Sequence, residues 1–334
     1  MSHLDSFGRP ISYLRISVTD RCNFRCVYCM PPEGVPQQSH EEILRYEEIA
    51  RVVEAGAALG ISKVRITGGE PLVREGLPDL VAMLARIPGI DDLSLTTNGS
   101  LLERYAQDLA RAGLQRVNIS LDTLRPDRFR GISRLGELEG VLRGIEAAQK
   151  AGLAPLKLNM VVMRGLNDDE VVDFARLTLE RDWCVRFIEM MPVGAWQRAS
   201  GDQWEKEFVS LDEVRSSIEK ELGELELVKE GEITSGGPAR PWRLPGARGT
   251  LGFITPVSAH FCPSCNRVRL TADGRLRPCL LSDLEFDLRA PLREGASLAE
   301  LKTLLIEAIA AKPEEHHLAE SLIPEKRTMS QIGG

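Results

Sequence analysis

From residue 11 to residue 190 the chain alternates short β-branched or aliphatic runs with longer stretches whose apolar residues recur at helical spacing. The strand-like runs are Tyr13 to Val18, Lys63 to Thr67, Leu93 to Thr97, Arg116 to Leu121, Leu156 to Val162 and Val185 to Glu189. Between them, Ile49, Val52, Val53 and Gly56 fall at i, i+3, i+4 and i+7. The same spacing returns in Leu138, Val141, Leu142 and Ile145, and in Val171, Phe174, Ala175 and Thr178. Each set marks one apolar helix face. Asn167 followed by Glu170, just before the third set, predicts a capping arrangement. Six strand-helix units in succession predict an α/β fold with a parallel sheet and right-handed crossovers. A partial (βα)6 barrel of the TIM type is expected rather than an open, doubly wound sheet.

In such a barrel, reactive groups gather at the carboxyl ends of the strands and in the loops that follow. The notable polar residues fall there. Arg15 lies in the first strand with cysteines just after it, Gly68, Gly69 and Glu70 follow the second, Asn98 follows the third, and Ser120 and Asp122 close the fourth. The alternation fades after about residue 191, where Pro, Gly and Trp interrupt it through Gly249. The expected organisation is a partial barrel over 1–190 and an irregular C-terminal module over 191–334 that caps its open mouth.

A chain of 334 residues has room for both parts. Its 43% hydrophobic and 27% charged residues match folded globular chains and exclude a disordered or fibrous class. The net charge of −7 argues against a surface that wraps nucleic acid or docks on anionic lipid, so an anionic substrate must be met by a local patch. No run approaches a membrane span, and the start lacks the basic and apolar segments of a secretory signal. A cytoplasmic location is expected.

The seven cysteines, at 22, 26, 29, 184, 262, 265 and 279, form two tight triads and one outlier, which is no disulfide framework. Cys22, Cys26 and Cys29 place three thiolates in one short loop. Three thiolates can hold three irons of a 4Fe-4S cube and leave the fourth open to a small-molecule ligand, a corner that a saturated structural zinc lacks. An incomplete zinc site with a distant fourth ligand is the alternative. Cys262, Cys265 and Cys279 are stiffened by Pro263 and Pro278, and His260 upstream keeps a zinc site of three cysteines and one histidine open. Cys184 reads as a small buried hydrophobe. Arg267 and Arg269 alternate along an apparent strand, hence on one face, where two planar guanidiniums suit a phosphate chain. A solvated strand face is the plainer reading of that pair.

The CxxxCxxC loop after a first strand, with Tyr28 inside it and Gly-Gly-Glu-Pro after the second, resembles the radical S-adenosylmethionine enzymes. The resemblance implies that the open iron chelates the methionine moiety and that the reduced cluster cleaves the sulfonium to a 5'-deoxyadenosyl radical, while the protein supplies position. Gly68 and Gly69 suit that arrangement, because backbone without side chains can approach a ligand closely. The segments KVRITGGEPLVR, NISLDTL, KLNMVVMRGLND, FIEMMPVG, CNRVRLTADG and the terminal IGG narrow the resemblance to the molybdenum cofactor biosynthesis protein A family, the GTP 3',8-cyclases.

That resemblance implies two 4Fe-4S clusters, one on Cys22, Cys26 and Cys29 for S-adenosylmethionine, the other on Cys262, Cys265 and Cys279 for the guanine of GTP. Tyr28, Gly69, Ser120 and Met191 match positions that line S-adenosylmethionine, and Arg15, Arg65, Thr96, Lys157, Arg267 and Arg269 match those that hold GTP. Arg186, on the sixth strand, is a further candidate to join these cations on the triphosphate. Gly333 and Gly334 match a tail that reaches into the active site and is needed for productive radical formation. The implied reaction removes the ribose C3' hydrogen of GTP and joins C3' to C8, giving 3',8-cyclo-7,8-dihydroguanosine 5'-triphosphate. The implied partners are a reductant for the clusters, cyclic pyranopterin monophosphate synthase as recipient of the product, and a second copy in a homodimer. The rivals are a peptide-modifying radical enzyme with an auxiliary cluster, which has no need of phosphate-matching arginines, and a two-zinc RNA-binding module. The latter calls for aromatics among basic residues, whereas aromatics are 5% of this chain.

Overall fold

A run of alternating residues becomes a strand when one parity can be buried and the other has a use, and this rule organises the sheet. The computed structural model describes residues 3–193, 204–229, 237–316 and 327–333. Six strands, β1 (Tyr13–Ser17), β2 (Lys63–Thr67), β3 (Asp92–Thr97), β4 (Arg116–Ser120), β5 (Lys157–Val162) and β6 (Cys184–Glu189), lie within a residue of the expected runs. Neighbours pair in parallel throughout, in the order β1-β2-β3-β4-β5-β6. The order never reverses, which excludes a doubly wound sheet, whose order switches direction, and is consistent with the expected partial barrel.

On one parity stand Leu14, Ile16, Val64, Ile66, Leu95, Ile119, Leu158 and Phe187, all fully buried. On the other parity the register aligns Arg15 with Arg65, Thr96 with Asn118, and Asn159 with Arg186. The apolar face packs on the crossover helices α1 (Tyr46–Ala58), α2 (Leu77–Ala85), α3 (Leu102–Arg111), α4 (Pro126–Ser133), α5 (Leu138–Lys150) and α6 (Val171–Glu180). The polar face is left for chemistry.

The expected faces of α1 and α6 are buried as a whole. The face expected on α5 is not: Leu138, Val141 and Ile145 are buried, but Leu142 is 41% exposed. The buried stripe turns toward Gly144, where an added Cβ would lie 2.1 Å from the carbonyl oxygen of Gly99, and that close approach swings Leu142 outward. The capping expectation at Asn167 and Glu170 also fails. Neither side chain caps the helix. Asn167 Oδ1 accepts from the Met163 amide and its Nδ2 donates to the carbonyls of Asp122 and Val161. The Glu170 carboxylate accepts from Thr123 Oγ1 and the Leu124 amide, so both side chains brace the loop after β4. Cys184, expected to be buried, is half-buried at the start of β6.

Past residue 190 the chain adds strands at both edges of the sheet. β9 (Thr250–Ile254) pairs in parallel with β6, followed outward by β8 (Arg240–Arg243) and β7 (Glu226–Leu227). β10 (Arg267–Leu270) pairs in parallel with β1, followed by β11 (Arg275–Arg277) and β12 (Phe286–Asp287). Both edges of the six-stranded wall are thereby covered by the chain's own later strands. No helix among the described residues is long and apolar enough to cross a membrane.

Candidate active site

The first thiol triad follows β1 directly. Gly69 N–H donates to the Thr19 carbonyl at 2.7 Å and Glu70 N–H to the Arg21 carbonyl at 2.8 Å, tying the start of the cysteine loop to the end of β2. A Cβ at Gly69 would lie 2.4 Å from the Arg21 carbonyl oxygen, and one at Gly68 2.8 Å from that of Thr19. The two glycines are therefore required by the approach of the loop's own backbone, a reason the sequence reading did not give. Glu70 turns inward, where burial pushes its carboxyl up to about 7 while the amides of Asn98 and Leu72 and the Thr97 hydroxyl donate to it. Burial likewise raises the Cys22 thiol to about 11 and the Cys29 thiol to about 12. The Phe24 amide donates to Cys22 Sγ at 3.3 Å.

The second triad sits on the short turn Cys262–Ser264 and on the chain leaving β11. The Leu281 amide donates to Cys279 Sγ at 3.4 Å, repeating the amide-to-sulfur contact made two residues past Cys22. Burial alone would raise the Cys265 thiol, but Arg267 and Lys312 outweigh it and bring it down to about 7. Lys312 is fixed there by donating to the carbonyls of Arg267 and Pro278. His260, the candidate fourth zinc ligand, instead meets Glu315 at 3.2 Å and packs edge-on against His316. Among the described residues no three His, Cys, Asp or Glu side chains are drawn together as ligands of a single ion.

Both triads line one cavity of about 310 Å³. Tyr28, Gly69, Ser120 and Met191 are on its wall, as are Arg15, Arg65, Thr96, Arg267 and Arg269. Lys157 is not. It shares the strand face of Asn159 but lies beneath the wall, with its ammonium brought down to about 7 by burial and by Arg186. Gly333 reaches the wall, and its carbonyl accepts from Arg269 at 3.3 Å. At φ +72°, with Thr67 Oγ1 only 2.3 Å from where a Cβ would stand, that position accepts glycine alone. Gly334 lies outside the described residues. Asn159, Lys312 and Arg186 also line the cavity, the first two being positions that no motif singles out. The period of two along β5 and β6 could have found the first and last, whereas Lys312 carries no local pattern.

Among the described residues the wall holds Arg15, Arg65, Arg186, Arg267, Arg269 and Lys312 against a single carboxylate, Asp122. Burial, Arg269 and Arg65 hold Arg15 well below the usual arginine range, and burial with Arg267 brings Arg269 down to about 10. Asp122 does not neutralise them. Burial pushes it up to about 6, and it accepts from the Tyr28 hydroxyl at 2.8 Å and the Val161 amide at 2.9 Å. Among the described residues the buried Thr96 Oγ1, Asn159 Oδ1 and Arg186 Nε make no hydrogen bond. A cavity so charged, with donors and acceptors unspent, is suited to a polyanion bearing hydroxyls.

Residues 16–178 match the family model described as the Radical SAM superfamily, and residues 183–318 the one described as Molybdenum Cofactor Synthesis C. The chain is 55% identical over 331 residues to the GTP 3',8-cyclase of Pelotomaculum thermopropionicum, covering 99% of each protein. It belongs to the GTP 3',8-cyclase family. The GTP 3',8-cyclase of Heliobacterium modesticaldum is 54% identical, over 99% of this chain and 100% of that one. Among solved structures, SuiB of Streptococcus suis bound to S-adenosylmethionine superposes with a TM-score of 0.62 at 13% identity, over 90% of this chain and 68% of that one. At that identity the likeness is one of fold. The cyclase family, as part of the radical SAM superfamily, uses S-adenosylmethionine with iron-sulfur clusters, and the site fits them. Each triad offers three sulfurs as one class of donor, with amide hydrogen bonds to sulfur already placed.

Proposed function

We propose that the protein converts GTP to 3',8-cyclo-7,8-dihydroguanosine 5'-triphosphate, an early reaction of molybdenum cofactor biosynthesis. The observation that carries this reading is the single cavity walled by two thiol triads and, among the described residues, by six cations against one carboxylate. Cys22, Cys26 and Cys29 would hold the cluster that faces S-adenosylmethionine, and Cys262, Cys265 and Cys279 the cluster that faces guanine. When bound, the first cluster with S-adenosylmethionine supplies the one-electron chemistry that makes a carbon radical.

The chain's own residues bind, orient and exclude water. Arg269, Arg15 and Arg65 stand in one register row across β10, β1 and β2. Adjacent strands lie about 4.8 Å apart, so the row spans about 10 Å, a length suited to a triphosphate. Arg267 extends it along β10, and Thr96, Asn159 and Arg186 offer unspent hydrogen bonds for the nucleoside. Tyr28, held by its bond to Asp122, and Gly69, Ser120 and Met191, all on the cavity wall, would line S-adenosylmethionine. Gly333 and the β10 residues Arg267 and Arg269 form part of the cavity wall, and cover on that side would help keep water from a reactive intermediate. A peptide-modifying reaction would leave the arginine row without a use. The same reading includes a low-potential reductant, delivery of the product to cyclic pyranopterin monophosphate synthase, a homodimer and a cytoplasmic setting.

Protein reconstituted without oxygen is expected to hold about eight irons per chain, four for each cluster. With dithionite, S-adenosylmethionine and GTP it should form 5'-deoxyadenosine and consume GTP. Four irons would remove the second cluster from the proposal, and stoichiometric zinc would remove both. Deoxyadenosine formed without loss of GTP would refute the substrate.

A further inference from the structure

Arg134 is the one non-glycine residue with positive φ among the described residues, at φ 61° and ψ −40°. It follows the last residue of α4 and is the centre of a γ-turn, in which the Leu135 amide donates to the Ser133 carbonyl at 2.8 Å, a strained backbone for a residue that carries a Cβ. The strain has a visible companion. The Arg134 guanidinium donates from one nitrogen, at 3.1 Å each, to the carbonyls of Arg25 and Met30. Those two carbonyls bracket the stretch holding Cys26, Tyr28 and Cys29.

The end of α4 meets the same stretch through its backbone. Its last carbonyls have no helical partner. Here Ser133 accepts from the Arg25 amide at 2.9 Å and Ile132 from the Val27 amide at 3.0 Å. Phe24 packs edge-on against Phe129 of α4, with ring centroids 5.9 Å apart. Four hydrogen bonds and an aromatic contact thus seat the cysteine loop on the carboxyl end of one helix. A strained residue persists where its surroundings fix it and its side chain is in use.

We propose that Arg134 is a positioning residue for the first thiol triad: its guanidinium, projected by the strained turn at the end of α4, clamps the loop from Arg25 to Met30 in the geometry that receives the cluster. The proposal rests on the reading that Cys22, Cys26 and Cys29 hold a cluster, and it adds what holds the loop. The clamp is a neutral-carbonyl-to-cation contact made inside the protein, so it acts before any cluster is loaded and sets both the order of the loop and the retention of iron at that triad. Lysine can still donate to two carbonyls from one nitrogen, methionine keeps the length without a donor, and glycine relieves the strain while removing the side chain.

The test compares Arg134→Lys, Arg134→Met and Arg134→Gly in the full chain, by amide hydrogen exchange over residues 22–30 before and after loading, and by iron content and electron paramagnetic resonance afterwards. Methionine and glycine should speed exchange in 22–30 about tenfold or more, and lower iron from about eight toward about four per chain. The signal that shifts on addition of S-adenosylmethionine should be the one lost, while the signal that responds to GTP remains. Lysine should restore both loop protection and iron. Glycine that leaves exchange and the S-adenosylmethionine-responsive signal as in the wild type, changing only the melting temperature, would reduce Arg134 to a strained turn and overturn the proposal. If the glycine variant does not fold, the lysine and methionine pair decides, because both keep the wild-type backbone; equal exchange in the two overturns it. Wild-type protein that takes up no iron would sink the cluster reading, and the exchange comparison in the unloaded chain would still judge the clamp.

Discussion

Buried on β5 beneath the cavity, Lys157 has Arg186, Arg116 and Arg65 as its cationic neighbours. Burial first, and then Arg186, bring its ammonium down to about 7, far below the value of about 10.4 for lysine in an unfolded chain. Between these two values the unfolded chain binds the extra proton, so this residue makes stability rise with pH across that window and is most costly below pH 7. Lys157→Met should raise the denaturation midpoint more at pH 6 than at pH 10. An equal gain at both would mean the ammonium is not penalised in the folded state. The resemblance implies a GTP contact for this position, but the cationic neighbours Arg186, Arg116 and Arg65 lie on other strands, and their effect on Lys157 is not written in the residues around it. Arg134 is legible only in part for a related reason: its place next to Ser133 and Gly136 marks a turn, yet the two carbonyls it clamps are more than 100 residues away in the chain.

At the scale of one helix, α5 separates what periodicity predicts from what packing decides. Gly144 on this helix meets the Gly99 carbonyl so closely that a Cβ would stand 2.1 Å from its oxygen. Gly144→Ala should therefore push α5 away from the loop after β3, costing about 1–3 kcal/mol in a urea titration. Leu142→Lys on the same helix should stay within about 0.5 kcal/mol of wild type, because Leu142 faces water. A large loss for Leu142→Lys would restore the face expected from its spacing. The strands were located to within a residue because alternation with a fixed period is a local property. The misreadings at Leu142, Asn167 and Glu170 share a cause: in each, a partner distant in sequence claims the side chain or the space.

Across the whole molecule, the C-terminal segment is fastened by Arg327, which bonds Glu285 at 2.6 and 2.9 Å and Asp273 at 3.1 and 2.8 Å. Glu285 also pairs with the fully buried Arg277 of β11. This network joins the tail to the hairpin of β10 and β11, so that Gly333 comes to rest between Thr67, Ser17 and Arg269. Arg327→Ala should lower stability by about 1–3 kcal/mol, because Asp273 loses its cation and Glu285 is left with Arg277 alone. It should also speed amide exchange over 328–333 while β1 to β6 keep their protection. Unchanged exchange in the tail would show that other contacts hold it.

The amino-acid sequence by itself determined the strand and helix order, the two thiol triads and the chemical types that surround them, because periodicity, spacing and side-chain identity are written in consecutive residues. It also carried the family, through motifs that extend along nearly the whole chain. Tertiary structure decided that triads more than 230 residues apart share one cavity, that six cations there answer to one carboxylate among the described residues, and that Gly68 and Gly69, besides lining that cavity, yield space to the backbone of the cysteine loop. These are properties of contacts closed by the parallel pairing of β10 with β1, and a pairing between distant segments exists only once the sheet has formed.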